Sequence, residues 1–246
     1  MTAPRRPRTV RPGTVQPASA DGRVSAPVED YLKAIYDLAG RDGTASTNDV
    51  ACRLGVAAAS VTGMIRRLSE QGLLEYERYR GVRLSDAGRL VALRTLRRHR
   101  IIEAYLQEQL GYPWDRVHDE AERLEHAASE ELVERMAAAL GHPTADPHGA
   151  PIPTADGLVD ERRHQTLADL AVGTIARMVR VSDKNAGLLR YLAEIDLTPG
   201  VEVQVLARAP FEGPLTLRIG DTEPVVGQPL AEQVLVEVVP GVPDAR

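Results

Sequence analysis

Residues 118–131 read HDEAERLEHAASEE and set two histidines among six carboxylates. An α-helix brings positions three and four apart onto one stripe. His118 and Glu122 are therefore neighbours, as are Glu122, Glu125 and His126. Imidazole nitrogens and carboxylate oxygens are ligands for divalent transition metals, which take four to six donors from converging directions. One helix cannot close such a shell, and a solvated acidic helix is the plainer reading of this stretch alone. Upstream, His99 and Glu103 form a second pair spaced i, i+4. Two metal-competent pairs on two helices favour an ion over a solvated face.

The elements that must position these residues follow from apolar periodicity. SDAGRLVALRTLRRHRIIEAYLQEQLG (85–111) reads as one long amphipathic helix ending at Gly111 and carrying His99 and Glu103. Residues 114–141 hold one or two further helices. Ile101, Ile102, Tyr105 and Leu106, with Leu132, Val133 and Met136, suit helix-on-helix packing or a dimer interface. Before them, residues 26–95 give a helix over VEDYLKAIYDLA, a short helix capped by Ser46 or Thr47 and stopped at Gly55, and a third helix ending near Gly72. Two short strands around Gly81 follow. Helix, turn, helix, hairpin is the order of a winged helix-turn-helix. The third helix buries Val61, Met64, Ile65 and Leu68. Its other faces carry Ser60, Thr62, Arg66 and Arg67, small polar and cationic residues suited to base edges and phosphates. With Thr47 on the second helix and Arg80 and Arg83 on the hairpin, these are the candidate DNA contacts.

Charge agrees with that division. The 246-residue chain is net acidic at −5, yet residues 53–100 hold eleven arginines against four acids, and residues 101–141 hold ten acids against three arginines. One block suits polyanions and the next suits cations. Cys52 is the only cysteine, so no intrachain disulfide forms and a reducing, cytoplasmic setting fits. No apolar run is long enough to span a bilayer. Residues 1–25 are rich in Pro, Gly and Arg and read as a disordered basic tail without a secretory h-region. An enzyme is not expected. Ferritin-like metal oxidases pair Glu-x-x-His on two helices, whereas Glu122 and His126 lie four apart and His99 precedes Glu103. No aligned nucleophile or Gly-rich phosphate loop is present. A winged-helix regulator of a non-metal ligand, with merely solvated carboxylates, is the rival reading.

Residues 142–163 are rich in Pro and Gly, a linker or a packed loop, and the histidines there, His142 and His148, read as structural or free. Residues 164–240 alternate in short Val-rich strands with Gly and Pro turns, the pattern of a small β-barrel with one short helix. The fold class is mainly α with a small β domain. Its parts are a tail (1–25), a winged helix-turn-helix domain (26–95), a helical dimerisation and metal-binding domain (96–141), a linker (142–163) and an SH3-like barrel (164–240).

Taken in order, EDYLKAIY, VTGMIRRLSEQGLL, RHRIIEAYL, VHDEAERLEH and DPHGAPIP resemble the diphtheria toxin repressor family of iron- and manganese-dependent regulators, in its long form, over residues 28–240. The resemblance implies a cytoplasmic homodimer that binds a palindromic double-stranded DNA operator and represses metal-uptake genes. It implies a primary metal set of Asp30, Glu122, Glu125 and His126. The ancillary set is His99, Glu103 and His118, completed from the SH3-like domain by Asp183. Iron-type members carry Met and Cys where this chain has Asp30 and Glu122. A site built from carboxylates and one imidazole suits Mn²⁺ first and Fe²⁺ second. Lys33 stands where some short manganese regulators place a Glu. The implied mechanism is an ion shared between the first helix and the dimerisation helix, which selects DNA-competent conformers.

Overall fold

The computed structural model describes residues 24–39, 43–77, 81–160 and 162–239. It divides into two compact units after Thr95.

In the first unit, α1 (Ala26–Ala39), α2 (Thr47–Leu54) and α3 (Ala58–Glu70) precede a hairpin of β1 (Leu74–Glu77) and β2 (Gly81–Leu84). Ser46 caps α2, its Oγ accepting from the Asp49 N–H at 3.1 Å, and Gly55 ends it with φ of 65°. Val28, Leu32, Ile35, Val50, Val61, Ile65, Leu68, Leu74 and Val82 form one buried core. The hairpin pairs Glu75 with Arg83 and Tyr76 with Val82. Ala45 joins it through a bridge to Val82, so Gly81, at φ of 110°, lies against the Ala45 carbonyl where a Cβ would collide. The architecture is a winged helix-turn-helix. The basic tail and Arg80 lie outside the described residues, apart from Val24 and Ser25.

The helix α4 (Asp86–Leu110) begins in this unit and ends at Gly111 with φ of 68°. The second unit holds its later turns with α5 (Val117–Leu124) and α6 (Glu130–Ala139) around Ile101, Ile102, Leu106, Val117, Ala121, Val133 and Ala137. Residues 165–238 then build an antiparallel sheet from β3 (Gln165–Thr166), β4 (Ile175–Val181), β5 (Glu202–Arg208), β6 (Leu215–Arg218), β7 (Val225–Val226) and β8 (Val234–Val238). The strand order is β3-β8-β4-β5-β6-β7. Two helices, α7 (Ala186–Glu194) and the single turn α8 (Gln228–Ala231), accompany the sheet, one more than the strand pattern suggested. The sheet packs on Leu189, Leu192 and Leu197.

The Pro/Gly-rich stretch between helices and sheet is packed where its middle is concerned: Asp146, His148, Ala150 and Ile152 are buried. The Val181 N–H donates to the His148 carbonyl at 2.9 Å. Gly149, at φ of 84°, passes so close to the Val179 carbonyl that a Cβ there would clash. This segment fastens sheet to helices.

Candidate metal centre

α4 delivers the first two side chains. His99 and Glu103 are one turn apart and both buried, Glu103 completely. α5 presents His118 and Glu122, again one turn apart. The helix stops at Leu124, because Ser129 caps a new helix by accepting from the Leu132 N–H, with Glu130 and Glu131 in the first turn. Residues 118–131 are thus not one helical stripe. Glu125 caps α5 and His126 sits in the α5–α6 turn.

His99 lies at the centre. Its Nδ1 is 2.7 Å from Glu125 Oε2 and 3.8 Å from Glu122 Oε1, and its Nε2 is 3.1 Å from both Glu103 Oε1 and His118 Nδ1. His118 Nδ1 is 3.1 Å from Asp183 Oδ2 and 3.4 Å from Glu103 Oε1. The structure thereby brings His99, Glu103, His118 and Asp183 together, with ligand atoms all within 4.8 Å of one another. Glu125 and His126 also meet, Oε1 to Nε2 at 3.4 Å. Asp30 lies on α1 of the first unit.

Charge is concentrated here. Burial alone would raise the Glu103 carboxyl, but the His99 charge and the hydrogen-bonding groups of His118 and His99 hold it down at about 2. Burial alone would lower His118, but Asp183 and Glu103 lift it to about 10. Burial likewise opposes ionisation of Asp183, and contact with His118 overrides it, holding the carboxyl well below its ordinary range. Without an ion, the cluster holds a proton on His118.

Two residues that the sequence reading left aside complete a second set. Asp146 and His148 converge on Glu103, again within 4.8 Å, all three buried. His148 Nε2 is 2.7 Å from the Trp114 carbonyl and donates to it. Its Nδ1 is buried, has no hydrogen-bond partner, and lies 4.0 Å from Glu103 Oε1. Both Glu103 oxygens also lack a well-formed hydrogen bond. Burial and the Glu103 charge push the Asp146 carboxyl up to about 6. Buried polar atoms without a matching partner are costly, and a cation among them lowers that cost. The donors are nitrogen and oxygen without sulfur, which fits Mn²⁺ or Fe²⁺. His148 reads as free or structural in the sequence because a loop has no periodicity to show convergence; Asp-x-His within a Pro-bounded loop is the signal available.

The arginine block divides differently from its count. Arg66 and Arg67 on α3 are exposed, as are Ser60 and Thr62. Arg66 Nε bonds Glu70 at 3.0 Å, Thr62 Oγ1 donates to the Ala58 carbonyl, and Arg83 pairs across the hairpin with Glu75. Thr47 opens α2 and is half-buried. Arg97, Arg98 and Arg100, by contrast, face inward in the second unit and bond Pro153, Glu125 and Pro151 carbonyls. They add nothing to a polyanion surface.

A basic winged helix-turn-helix, a helical domain holding a buried histidine–carboxylate cluster, and an SH3-like sheet domain define the class. Family models agree segment by segment: "Iron dependent repressor, N-terminal DNA binding domain" over residues 23–82, "Iron dependent repressor, metal binding and dimerisation domain" over 85–154, and "FeoA domain" over 165–238. The iron-dependent repressor IdeR of Mycobacterium tuberculosis is 38% identical over 54% of this chain and 56% of its own length. The match therefore spans about half of that relative. The HTH-type transcriptional regulator MntR of Lysinibacillus sphaericus is 34% identical over 45% of this chain and 78% of its own. A solved manganese-dependent transcriptional repressor in complex with manganese superposes with a TM-score of 0.80 at 40% identity, covering 86% of this chain and all of that one. The chain belongs to the iron-dependent repressor family. Among the described residues no helix is long and apolar enough to cross a membrane.

Proposed function

We propose that this chain is a cytoplasmic, metal-activated DNA-binding repressor. It acts as a homodimer on a palindromic operator of metal-uptake genes, with Mn²⁺ the first-choice ion and Fe²⁺ the second. The buried cluster around Glu103 carries this reading, because it crowds carboxylate oxygens and imidazole nitrogens within 4.8 Å of one another, an arrangement that a divalent cation satisfies.

Glu122, Glu125 and His126, with Asp30 from α1, would hold one ion. His99, Glu103, His118 and Asp183 would hold another, and Asp146 and His148 extend the donors around Glu103. A bound divalent ion supplies the positive charge that keeps these anionic and imidazole donors together. The chain's own part is orientation. His99 donates from Nδ1 to Glu125, which fixes its tautomer and leaves Nε2 aimed at Glu103, the arrangement in which an imidazole ligates best. Asp183, from the sheet domain, meets His118 from α5, so the same donors fasten sheet to helices. Ligation by Asp30 would couple the DNA-reading unit to this centre, and a coupling of about 1–3 kcal/mol changes DNA affinity roughly 5–150-fold. Ser60 and Thr62 would meet base edges; Thr47, Arg66, Arg67, Arg80 and Arg83 would meet phosphates.

Operator binding titrated in anaerobic buffer with Mn²⁺, Fe²⁺ and Zn²⁺ in parallel tests the reading. Tight, specific retention that depends on Mn²⁺ or Fe²⁺ is expected. Equal binding with chelator present would leave a regulator that senses something else.

A further inference from the structure

We infer that Arg98 is a positioning residue for the metal-binding turn between α5 and α6. Its guanidinium is 2% exposed although it belongs to the arginine-rich block. From α4 it reaches the one segment that carries Glu125 and His126. Nε donates to the Glu125 carbonyl at 3.1 Å, and Nη1 bonds Glu130 Oε1 at 2.9 Å on the first turn of α6. The neighbouring His99 holds the carboxylate of the same Glu125 at 2.7 Å. Two adjacent α4 residues thus fix one residue at both its backbone and its side chain.

The turn needs this. α5 ends at Leu124 and α6 begins at Glu130, so the intervening backbone has only partial helical bonding to hold it. A buried arginine is costly unless its donors are met, and these are met by the end of one helix and the start of the next. The planar fork suits that double engagement better than an ammonium does. Partners of this kind that orient ligands are worth about 10–100-fold in metal affinity.

The inference rests on Glu125 and His126 being ligands, so the experiment separates the two. Wild type, Arg98→Met, Arg98→Lys, Glu130→Gln and Glu125→Gln are compared as full chains. Mn²⁺ stoichiometry and affinity are measured, with fluorescence of Trp114, the only tryptophan, which stacks on His148 with ring centroids 5.8 Å apart. Amide exchange of residues 125–129 is followed without metal. Arg98→Met should weaken one ion by at least about tenfold, spare the ion reported by Trp114, and speed exchange in the turn. Lysine should restore part of the affinity. Glu130→Gln, a surface change that leaves the core intact, should act in the same direction more weakly, and decides the matter if Arg98→Met does not fold. Equal weakening of both ions, or unchanged exchange and affinity in Arg98→Met and Glu130→Gln while Glu125→Gln loses an ion, would overturn the positioning role. An unchanged Glu125→Gln would instead remove the ligand assignment on which it rests.

Discussion

At the residue scale, His118 controls how the centre answers pH. Held at about 10 by Asp183 and Glu103, it is protonated at neutrality, and its Nδ1 must lose that proton to ligate. Mn²⁺ binding at pH 7 should release at least the His118 proton, and affinity should rise with pH, roughly tenfold per unit for each proton displaced, until His118 titrates. Calorimetry in buffers of different ionisation enthalpy reads the protons directly; His118→Ala should lower their number by about one. Metal-free stability runs the other way. A histidine raised above its ordinary value of 6.5 contributes fully below that pH, and the contribution is lost as pH climbs through 10. Glu103, held at about 2, contributes above its ordinary 4.5 and loses that contribution as pH falls through 2. Apo protein should therefore weaken toward alkaline pH while metal affinity improves. Glu122, half-exposed at the end of α5, tests ion preference. Glu122→Cys introduces a thiolate, and activation should shift from Mn²⁺ toward Fe²⁺ or Zn²⁺ in a metal-dependent DNA titration. An unchanged ranking would take Glu122 out of the coordination set.

At the element scale, what was legible followed periodicity. Helix boundaries at Gly55, Gly72 and Gly111, the wing strands and the Val-rich sheet were readable because caps, turns and alternation are local signals. The fate of Arg98 was not. Counting charge placed it with the DNA-facing arginines, but the phase of α4 turns it inward beside His99, and phase within a helix flanked by packing on several sides is decided by tertiary contacts. Glu125 and His126 read as helical because spacing alone ignores that Ser129 starts a new helix. Asp146 and His148 escaped because their convergence on Glu103 is set by a loop. The exposed polar face of α3 was read from sequence, and it gives a direct prediction. Arg66→Ala should weaken operator binding and reduce the log–log salt slope by about 0.9, the share of one neutralised phosphate. Substitutions at Ser60 or Thr62 should change base preference with the slope intact. A salt series on both classes of variant checks this, and an unchanged slope for Arg66→Ala would mean that α3 does not meet the backbone at that position.

At the scale of the whole molecule, the C-terminal sheet domain is tied to the helices by chemistry as well as packing. Asp183 follows β4 and pairs with His118 of α5 at 3.1 Å, Arg190 of α7 bonds Asp115 at 3.0 Å, and Trp114 packs against the core of the sheet. Of these only the first is made by a side chain of the His99, Glu103, His118 and Asp183 set, so it should make docking depend on metal most directly. An ion that binds the folded chain alone stabilises it by about 2.7 kcal/mol at a hundredfold excess over its dissociation constant. Asp183→Asn keeps the shape and removes the anion. The variant should melt at a lower temperature without metal, because protonated His118 loses a partner. Its rise in melting temperature on adding Mn²⁺ should be smaller than that of wild type. Amide exchange should then distinguish the cause. In wild type, Mn²⁺ should slow exchange in β4 and α7 as well as in α5; in Asp183→Asn the slowing should be confined to the helices. A full Mn²⁺-dependent rise in the variant, with protection still spreading into the sheet, would show that Asp183 ties the domains by its ion pair alone and takes no part in binding the ion.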